Sequence, residues 1–367
     1  MGFQSMRIVH FLNHARQANG HVCLAVDLAC EQARQGHEVY FVSGHCDFTR
    51  VIEENGVNYI PIPEVSSRPK QLWKLWKSLM EVSGKVQPDI VNAHMVASAL
   101  SAKAAQLFSG FKLVTTVHNS FDPQAKYMGV GDRVIAVSQS VKSEMISKGI
   151  SQKKLRVVKN GTIGGARRPL RSETEVQLSK PAIATVAGLH PRKGIADLVD
   201  AFDIVTKTHK EANLYIIGEG PMRAEYEERA RALECGDQVH FLGFLEDPQS
   251  ILASVDIFVL ASHAEPFGLV LLEAREMGCA LIGTKVGGIP EVLHQGEIGV
   301  LVEAQSPQKL GMAISELLAD EARLNALKKA ASTDLEECTV AYMSEQTMKV
   351  YRELVKADGS SRNTANN

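Results

Sequence analysis

The stretch that decides the fold of the second half of the chain is Ser262-His263-Ala264-Glu265-Pro266-Phe267-Gly268-Leu269-Val270-Leu271-Leu272-Glu273-Ala274, continued by Gly287-Gly288-Ile289-Pro290-Glu291. It follows the apolar run Ile257-Phe258-Val259-Leu260, which is typical of a buried parallel strand. Pro266 suits the first turn of a helix, where no backbone N–H is needed, and Gly268 lets a ligand approach the backbone closely. The stretch therefore predicts a strand, a short loop and a helix.

The start of this predicted helix has the properties of an anion site. Its free N–H groups and the helix dipole favour a phosphate, and the residues concerned are Phe267, Gly268, Leu269 and Val270. Glu265 lies just before the helix and Glu273 about two turns into it. Because carboxylates accept hydrogen bonds from paired hydroxyls, one glutamate on a ribose diol and one on a sugar is a reasonable division. The alternative is that Glu265 caps the helix and Glu273 lies on a solvated face.

These residues resemble the donor-binding signature of the retaining glycosyltransferases of family 4. The motifs Gly218-Glu219-Gly220-Pro221 and Phe241-Leu242-Gly243-Phe244 strengthen the resemblance, which covers residues 6–354 and is densest between residues 239 and 302. It implies the GT-B fold, an α/β architecture of two Rossmann-like doubly wound domains that face each other across a cleft. Members of this fold commonly return a C-terminal helix to the first domain.

Length and composition agree with a protein of this kind. A chain of 367 residues is too long for one hydrophobic core and suits two domains. The net charge of -2 gives no whole-chain reason to expect nucleic acid as a partner. The six cysteines have no metal-ligand or redox spacing, and neither a signal peptide nor a membrane-spanning run is recognisable. We expect a cytoplasmic protein, and any contact with the membrane, at its inner face, must be peripheral.

Alternating helix and strand signals predict the domain boundaries. The first domain is expected at residues 1–163, a linker at 164–180 that includes Arg167, Arg168 and Arg171, the second domain at 181–338, a crossover helix at 339–357 and a disordered tail at 358–367. Strands are predicted at residues 7–12, 38–43, 57–60, 89–93, 112–117, 133–137 and 155–158, and then at 182–187, 213–217, 239–242, 257–260, 281–283 and 299–302. Both sheets are expected to be parallel and covered on both faces.

Two residues of the first domain are candidates because they follow predicted strands, where open α/β sheets bind ligands. Gly20 lies in the loop after the first strand, where the family usually has a glycine pair near the donor phosphate; here only Gly20 matches, beside Asn19. His118 follows the strand at 112–117, where the family has a histidine that faces the sugar. The alternatives are a simple turn glycine and a structural histidine.

In the second domain, Lys193 and Arg192 precede a predicted helix. Cations are unusual at a helix start, and an anionic ligand such as a diphosphate would remove the conflict. The family usually has Gly-Arg-Leu before the Lys-Gly pair, but here the corresponding residues are Ala187, Gly188 and Leu189. We infer that Arg192 replaces the missing arginine, because a guanidinium can grip phosphate from a different backbone position.

The resemblance assigns these parts to sugar transfer from a nucleotide sugar, expected to be a UDP-sugar, with retention of the anomeric configuration. Lys193, Arg192 and the backbone N–H groups would stabilise the departing diphosphate. Glu265 is expected on the sugar, Glu273 on the ribose, and the Phe244-Leu245 backbone at the base edge. No Asp-x-Asp metal motif lies between a strand and a loop, so neither a metal nor a cofactor is expected. The alternatives are a GT-B enzyme of other chemistry, such as an epimerase or phosphorylase, and a non-catalytic binding protein.

The segment Arg68 to Met80 bears on the acceptor, which we expect to be a glycan or a lipid-linked glycan of envelope or surface polysaccharide synthesis. On a helix, its two tryptophans share a face with Leu72, Leu79 and Met80, while the lysines share another; these residues are Trp73 and Trp76, and Lys70, Lys74 and Lys77. One interpretation is a helix whose aromatic face packs on the sheet. The other is contact with an anionic membrane surface, because interfacial helices combine aromatic anchors with basic residues.

Overall fold

The chain divides into two α/β units, and the first is built from both ends of the chain. The computed structural model describes residues 5–17, 19–65, 72–167 and 176–362, the last seven of them by backbone alone. Unit 1 comprises Met1–Arg167 and Glu336–Asn367, and unit 2 comprises Arg168–Leu335. Each unit contains one parallel sheet, so both have the predicted Rossmann-like architecture.

The sheet of unit 1 has seven parallel strands in the order β3-β2-β1-β4-β5-β6-β7. The strands are β1 (Arg7–Phe11), β2 (Glu38–Ser43), β3 (Asn58–Pro61), β4 (Ile90–Ala93), β5 (Lys112–Val117), β6 (Arg133–Ala136) and β7 (Leu155–Val157). The helices are α1 (Gly20–Arg34), α2 (Thr49–Glu54), α3 (Leu72–Val86), α4 (Val96–Ser109) and α5 (Gln139–Ser147), with a 3₁₀ segment at Pro123–Val130. Strand order reverses between β1 and β4, which places the ligand-binding crevice of such a sheet at their carboxyl ends.

Unit 2 has a six-stranded parallel sheet in the order β10-β9-β8-β11-β12-β13. Its strands are β8 (Ala182–Val186), β9 (Asn213–Ile217), β10 (Val239–Gly243), β11 (Ile257–Leu260), β12 (Ala280–Thr284) and β13 (Val300–Val302). Its helices are α6 (Ile195–Thr206), α7 (Arg223–Arg231), α8 (Gln249–Leu252), α9 (Leu269–Glu276), α10 (Ile289–Val292), α11 (Pro307–Ala319) and α12 (Glu321–Ala331). Short 3₁₀ segments lie at Pro191–Lys193, Gly236–Gln238 and His294–Gly296, and a fourth, Leu335–Cys338, crosses the boundary into unit 1. The reversal lies between β8 and β11.

Helix α6 shows why these segments are helices and how they cover the sheet. Its apolar residues recur at helical spacing and are buried: Ile195, Leu198, Val199, Phe202 and Val205. They join the apolar residues of β8, β9 and β11 in the core of unit 2. Gly311 of α11 lies so close to the backbone of α6 that a Cβ there would meet the Ala201 carbonyl at 2.8 Å. The two helices therefore pack tightly on the same face.

The C-terminal helix α13 (Val340–Arg362) returns to unit 1 and packs against α1, as the sequence predicts. Tyr351 is fully buried, and its hydroxyl accepts a hydrogen bond of 2.8 Å from Asn92 Nδ2 on β4. Ser344 Oγ donates to Gln35 Oε1 at 3.0 Å. Glu353 pairs with Arg133 and Arg156, so the helix is fixed to unit 1 by apolar burial and by polar contacts.

Two predictions about the ends of the domains need correction. The helix continues to Arg362, so residues 358–362 are helical although they were predicted to be disordered. The Gly/Ser/Asn-rich composition of this segment favours disorder, but each residue added to an existing helix gains a hydrogen bond, and a glycine such as Gly359 costs only about 1 kcal/mol. Residues 363–367 lie outside the described residues.

Arg167 is also not part of a solvated linker. Its guanidinium bonds at 2.9 Å to Asp27 on α1, whose side chain is only 1% exposed. A Cβ at Gly165 would lie 2.6 Å from the same carboxylate, so this turn packs directly on α1. Arg168 and Arg171 lie outside the described residues, and the contacts within the units divide the chain after Arg167 and Leu335.

Candidate active site

The strand reversal of unit 2 brings two predicted residues together. Strands β8 and β11 are neighbours, with Ile257 opposite Ile183 and Phe258 opposite Ala184. Because both strands run in the same direction, the loops that follow them leave the same edge of the sheet. The loop after β8 carries Lys193 and the loop after β11 carries Glu265. These two residues are 72 positions apart in sequence and in contact in the structure.

Lys193 and Glu265 form a largely buried ion pair. Lys193 Nζ donates to Glu265 Oε2 at 2.5 Å, and the two side chains are only 15% and 11% exposed. Ser262 Oγ lies 3.4 Å from the same carboxylate oxygen. Besides the anionic ligand that is predicted beside Lys193, Glu265 therefore also supplies negative charge there. The pair leaves Lys193 Nζ with further donor capacity, since an ammonium group has three N–H bonds.

Two glycine positions fix this geometry. Gly287 has φ +54, and a Cβ there would lie 1.7 Å from the Glu265 carbonyl oxygen. Its neighbour Gly288 donates its backbone N–H to the same carbonyl at 3.0 Å. Gly194, with φ +66, follows Lys193, and a Cβ on it would lie 1.9 Å from the Ala261 carbonyl oxygen. The Gly-Gly-Ile-Pro-Glu motif and the Lys-Gly pair therefore support the backbones that carry Glu265 and Lys193.

The helix after Glu265 begins later than the sequence predicts. Helix α9 starts at Leu269, with Gly268 as its N-cap at φ +97, so Pro266 precedes the helix instead of lying in its first turn. Leu271 N–H already donates to the Gly268 carbonyl. Glu273 lies little more than one turn into the helix, not two, and is half-buried. The apolar residues around the start of α9 differ in burial: Phe267 is buried, whereas Leu269 and Val270 are partly exposed.

The other predicted donor residues lie at the same edge of the unit 2 sheet. Arg192 is exposed, and its Nη1 donates to the Ala264 carbonyl at 3.3 Å, one residue before Glu265. Its own carbonyl accepts from His263 N–H at 2.8 Å, which joins the two loops. Phe244 follows β10 and is 53% exposed, and Leu245 is half-buried.

In unit 1, His118 follows β5 and is surrounded by other histidines. Its Nε2 lies 3.1 Å from His94 Nδ1, and its ring lies beside that of His21 at 5.7 Å between centroids. Burial, and secondarily the charge of His21, lowers the pKa of His118 to about 3. Its Nδ1 atom is buried and has no hydrogen-bond partner among the residues that the structure describes. A neutral imidazole with a bare ring nitrogen is suited to bind a ligand hydroxyl.

Gly20 is the first residue of α1 and is exposed. Its N-cap, Asn19, makes no side-chain cap hydrogen bond, and the first turn contains no acidic residue. The helix start is thus compatible with an anion. Within the described ranges, no three histidine, cysteine, aspartate or glutamate side chains form a group that could hold a metal ion.

Sequence reasoning missed three buried residues behind His118. His94 follows β4, His10 lies on β1, and Gln32 lies on α1; none of them is appreciably exposed. The signal was present for His10, since a histidine inside the apolar run Ile8 to Leu12 has to be satisfied by a partner in the core. Its partners depend on strand order, which the sequence pattern does not give.

Both units match models of glycosyltransferase domains. The family described as Glycosyltransferase Family 4 matches residues 18–162, and that described as Glycosyl transferases group 1 matches residues 167–334. The chain belongs to the family 4 glycosyltransferases of the GT-B fold. The division between the two matches agrees with the division between the two units.

Individual relatives agree with this family. The chain is 27% identical over 359 residues to N-acetyl-alpha-D-glucosaminyl L-malate synthase of Bacillus anthracis, covering 91% of this chain and 94% of the relative. A glycosyltransferase structure from Rickettsia africae superimposes with a TM-score of 0.81 at 21% identity, covering 96% of this chain and all of the other. Anabaena HepE in complex with UDP gives a TM-score of 0.80 at 18% identity, covering 95% and 100% of the two chains. These structural likenesses concern the fold.

Proposed function

We propose that this family 4 glycosyltransferase moves a sugar from a nucleotide sugar, a UDP-sugar, to a glycan or lipid-linked acceptor, with retention of anomeric configuration and without a metal. The observation that carries the proposal is the Lys193–Glu265 ion pair beside the start of α9. It combines a cation for phosphate with a carboxylate for hydroxyls at a strand reversal, where sheets of this type bind nucleotides. The UDP bound by HepE supports the choice of donor.

The main chemical need is to stabilise the departing nucleoside diphosphate. Breaking the bond between the anomeric carbon and the phosphate oxygen leaves negative charge on the diphosphate, while the sugar becomes cation-like. We assign Lys193 and Arg192 to that charge, with the first amides of α9 and of α1 at Gly20. Glu273 holds the ribose diol, and the Phe244-Leu245 backbone meets the base edge. Two side-chain cations and oriented backbone amides take the part that a metal would otherwise play.

The sugar is held by Glu265 and by His118, whose bare Nδ1 accepts a hydroxyl hydrogen bond. In the proposed step, the acceptor hydroxyl attacks the anomeric carbon from the face that the diphosphate leaves. Its proton passes to the leaving phosphate oxygen, so that atoms and charge balance. This front-face route needs no carboxylate nucleophile. It agrees with a Glu265 carboxylate that is already paired with Lys193.

Nucleotide release from UDP-, GDP- and ADP-sugars tests the proposal, before and after treatment with EDTA. We expect slow release from a UDP-sugar that EDTA leaves unchanged, and proton NMR should show the freed sugar first in the anomeric form of the donor. Formation of an epimeric nucleotide sugar, or turnover that requires inorganic phosphate, would identify an epimerase or a phosphorylase. Tight donor binding without turnover on any acceptor would indicate a binding protein.

Glu265→Gln and Glu273→Ala are expected to affect different kinetic parameters. The first keeps the side-chain shape but weakens a charge-assisted hydrogen bond to the sugar, so kcat should fall about 10- to 100-fold with little change in donor KM. The second removes the ribose contact and should raise donor KM about tenfold with a small change in kcat. Steady-state kinetics with saturating acceptor measures both. Equal and mild effects on all parameters would contradict the assignment.

Arg192→Ala is expected to lower kcat/KM about tenfold or more if Arg192 replaces the family arginine. The matched test restores that arginine with Gly188→Arg in the Arg192→Ala background. Gly188 is exposed, and a Cβ there would lie 3.3 Å from the exposed His190 ring, so a side chain fits after a small shift. We expect the double variant to recover most of the lost activity. Unchanged kinetics of Arg192→Ala would show that no replacement is needed.

We also propose that unit 1 contacts an anionic membrane through α3 and α4. The buried residues of α3 are Leu75, Leu79, Val82, Ser83 and Val86, and only Leu79 among them belongs to the predicted aromatic face. Trp73 lies about 200° around the helix from Leu75 and is 57% exposed. Trp76 packs edge-on against Phe108 of α4 at 6.4 Å between ring centroids. Phe108 and its neighbour Leu107 are 71% and 77% exposed.

This aromatic patch, formed by Trp73, Trp76, Leu107 and Phe108, carries the membrane proposal. Clustered exposed aromatic residues mark interaction sites, and the exposed Lys74 and Lys77 on the same helix favour an anionic surface. Lys70 lies outside the described residues. Within the described ranges, no helix is both long enough and apolar enough to cross a bilayer. The proposed contact suits a lipid-linked acceptor.

Vesicle co-sedimentation checks the membrane proposal. Wild-type protein is expected to bind vesicles containing phosphatidylglycerol at low salt and to lose most of that binding at high salt. Trp73→Ser with Phe108→Ser, and separately Lys74→Glu with Lys77→Glu, should each abolish it. Met312→Ser on α11 is the matched control, because Met312 is also 57% exposed. If the wild-type protein does not bind these vesicles at low salt, the membrane proposal is wrong.

A further inference from the structure

A chain of hydrogen bonds runs from α1 through the sheet of unit 1 to His118. Gln32 Oε1 lies 2.8 Å from His10 Nε2. His10 Nδ1 lies 2.9 Å from His94 Nε2, and His94 Nδ1 lies 3.1 Å from His118 Nε2. The His10 and His94 rings are stacked with centroids 5.2 Å apart, and the His94 and His118 rings with centroids 5.4 Å apart. Each of these contacts is within hydrogen-bond distance and joins either two ring nitrogens or a ring nitrogen and the amide oxygen.

The direction of the chain follows from Gln32. Its amide nitrogen donates to Met348 Sδ at 3.6 Å, which turns the oxygen towards His10. An amide oxygen only accepts, so His10 Nε2 carries the hydrogen and His10 Nδ1 is the acceptor. His94 Nε2 therefore carries the hydrogen that His10 Nδ1 accepts, and His94 Nδ1 accepts from His118 Nε2–H.

Each of the three imidazole rings carries only one N–H hydrogen at neutral pH. Burial lowers the pKa of His10 to about 4 and that of His118 to about 3, and burial followed by the charge of His10 lowers the pKa of His94 well below its usual value. All three rings are therefore neutral at pH 7. A neutral imidazole has one donor and one acceptor nitrogen. The amide oxygen of Gln32 therefore determines which nitrogen donates in His10, and through it in His94 and His118.

We propose that Gln32, His10 and His94 are positioning residues that fix His118 in the Nε2–H tautomer, which keeps its buried, unpartnered Nδ1 atom as a hydrogen-bond acceptor for a sugar hydroxyl. The inference rests on the proposed function for the contact with the sugar, but the tautomer itself is a property of the protein alone. In the opposite tautomer, Nδ1–H would meet the hydroxyl as a second donor, and the hydroxyl would have to turn its hydrogen elsewhere. Gln32 thus acts on the substrate through three rings, those of His10, His94 and His118.

Long-range proton–nitrogen NMR spectra of histidine-labelled protein at pH 7.5 distinguish the tautomers. We expect His10, His94 and His118 of the wild-type protein to be purely Nε2–H. Gln32→Met removes the acceptor with little change in volume, and His10→Phe breaks the next link while keeping an aromatic ring. In both variants, His118 should become a mixture of tautomers. We expect kcat to fall about two- to fivefold because fewer molecules are competent, and donor KM to stay within about twofold.

Gln35→Met is the matched control. Gln35 also lies near the end of α1 and accepts a hydrogen bond from α13, but it takes no part in the hydrogen bonds between Gln32 and His118. Its substitution should change neither the tautomer of His118 nor the kinetic parameters.

A wild-type His118 that is Nδ1–H or mixed would overturn the proposal without any variant. An unchanged His118 spectrum in both Gln32→Met and His10→Phe would also overturn it. If the tautomer shifts as expected while kcat stays at the wild-type value, the chain of hydrogen bonds stands and the proposed contact between His118 and the transferred sugar is wrong. The NMR spectra therefore test the tautomer of His118, and kcat separately tests its proposed contact with the sugar.

Discussion

Lys193→Ala is expected to lower kcat by about 100- to 1,000-fold, the cost of removing one preorganised charge from a developing anion. Lys193 Nζ is held by Glu265 at 2.5 Å, with both side chains largely shielded from water, so the cation is in place before the donor arrives. The change also leaves the Glu265 carboxylate without its partner. Steady-state rates of nucleotide release measure the loss, and urea unfolding of the same variant measures any cost in stability.

Two comparisons separate catalysis from structure in this prediction. Lys180→Ala is the matched control, because Lys180 also belongs to unit 2 and pairs with a carboxylate, that of Asp256, at 3.1 Å. This pair lies at the opposite, amino end of the sheet, where Asp256 accepts from the backbone N–H of Ala182, the first residue of β8. It should leave kcat unchanged. The double variant Lys193→Ala with Glu265→Gln should lose less than the product of the two single losses, because the residues act as a pair. A kcat for Lys193→Ala within about threefold of wild type would contradict the role of the cation.

Acid is expected to destabilise unit 1 strongly between pH 6.5 and pH 4. Burial lowers the pKa of His10 to about 4 and of His118 to about 3, whereas an unfolded chain binds these protons near pH 6.5. The unfolded state therefore gains protons first as the pH falls, and stability is lost below pH 6.5 until the native pKa is reached. At pH 5 the loss is about 2 kcal/mol for each of the two rings, and His94 adds to it in the same direction.

Tryptophan fluorescence during urea unfolding at pH 7.5 and pH 5.0 measures this effect, because both tryptophans of the chain lie in unit 1. His118→Gln should reduce the difference in unfolding free energy between the two pH values by about 2 kcal/mol. His190→Gln, which changes an exposed histidine of unit 2, should leave the difference unchanged. Equal stability of the wild-type protein at both pH values would refute the prediction.

The fold was predictable because most strands are continuous apolar runs. The predicted strands at residues 38–43, 112–117, 213–217 and 257–260 agree with β2, β5, β9 and β11 to the residue. The start of α9 was less predictable, since Pro266 is compatible with the first helical turn and equally with the loop that precedes it. The last turns of α13 were missed because composition alone favoured disorder.

The candidate site was predictable only as separate parts. The resemblance to family 4 pointed to Lys193 and Glu265, but their contact spans 72 positions and depends on β8 lying beside β11. The histidine chain was missed for the same reason, because His10, His94 and His118 meet only when β1, β4 and β5 are neighbours. Strand order is a tertiary property, and a periodicity in one segment does not encode it.

Because α13 belongs to unit 1 but follows unit 2 in the sequence, unit 1 cannot finish folding during synthesis until unit 2 has been made. Thr162 and Ile163 donate their backbone N–H groups to the Cys338 carbonyl, so the chain leaves and re-enters unit 1 at neighbouring points, and the whole of unit 2 is an insertion between them. A ribosome delivers the seven strands of unit 1 and then all of unit 2 before Tyr351 can reach Asn92. Until then the face of α1 that α13 covers is open to solvent and to chaperones. A chain interrupted before Val340 therefore carries a second unit with its sheet complete and a first unit that still lacks its closing helix.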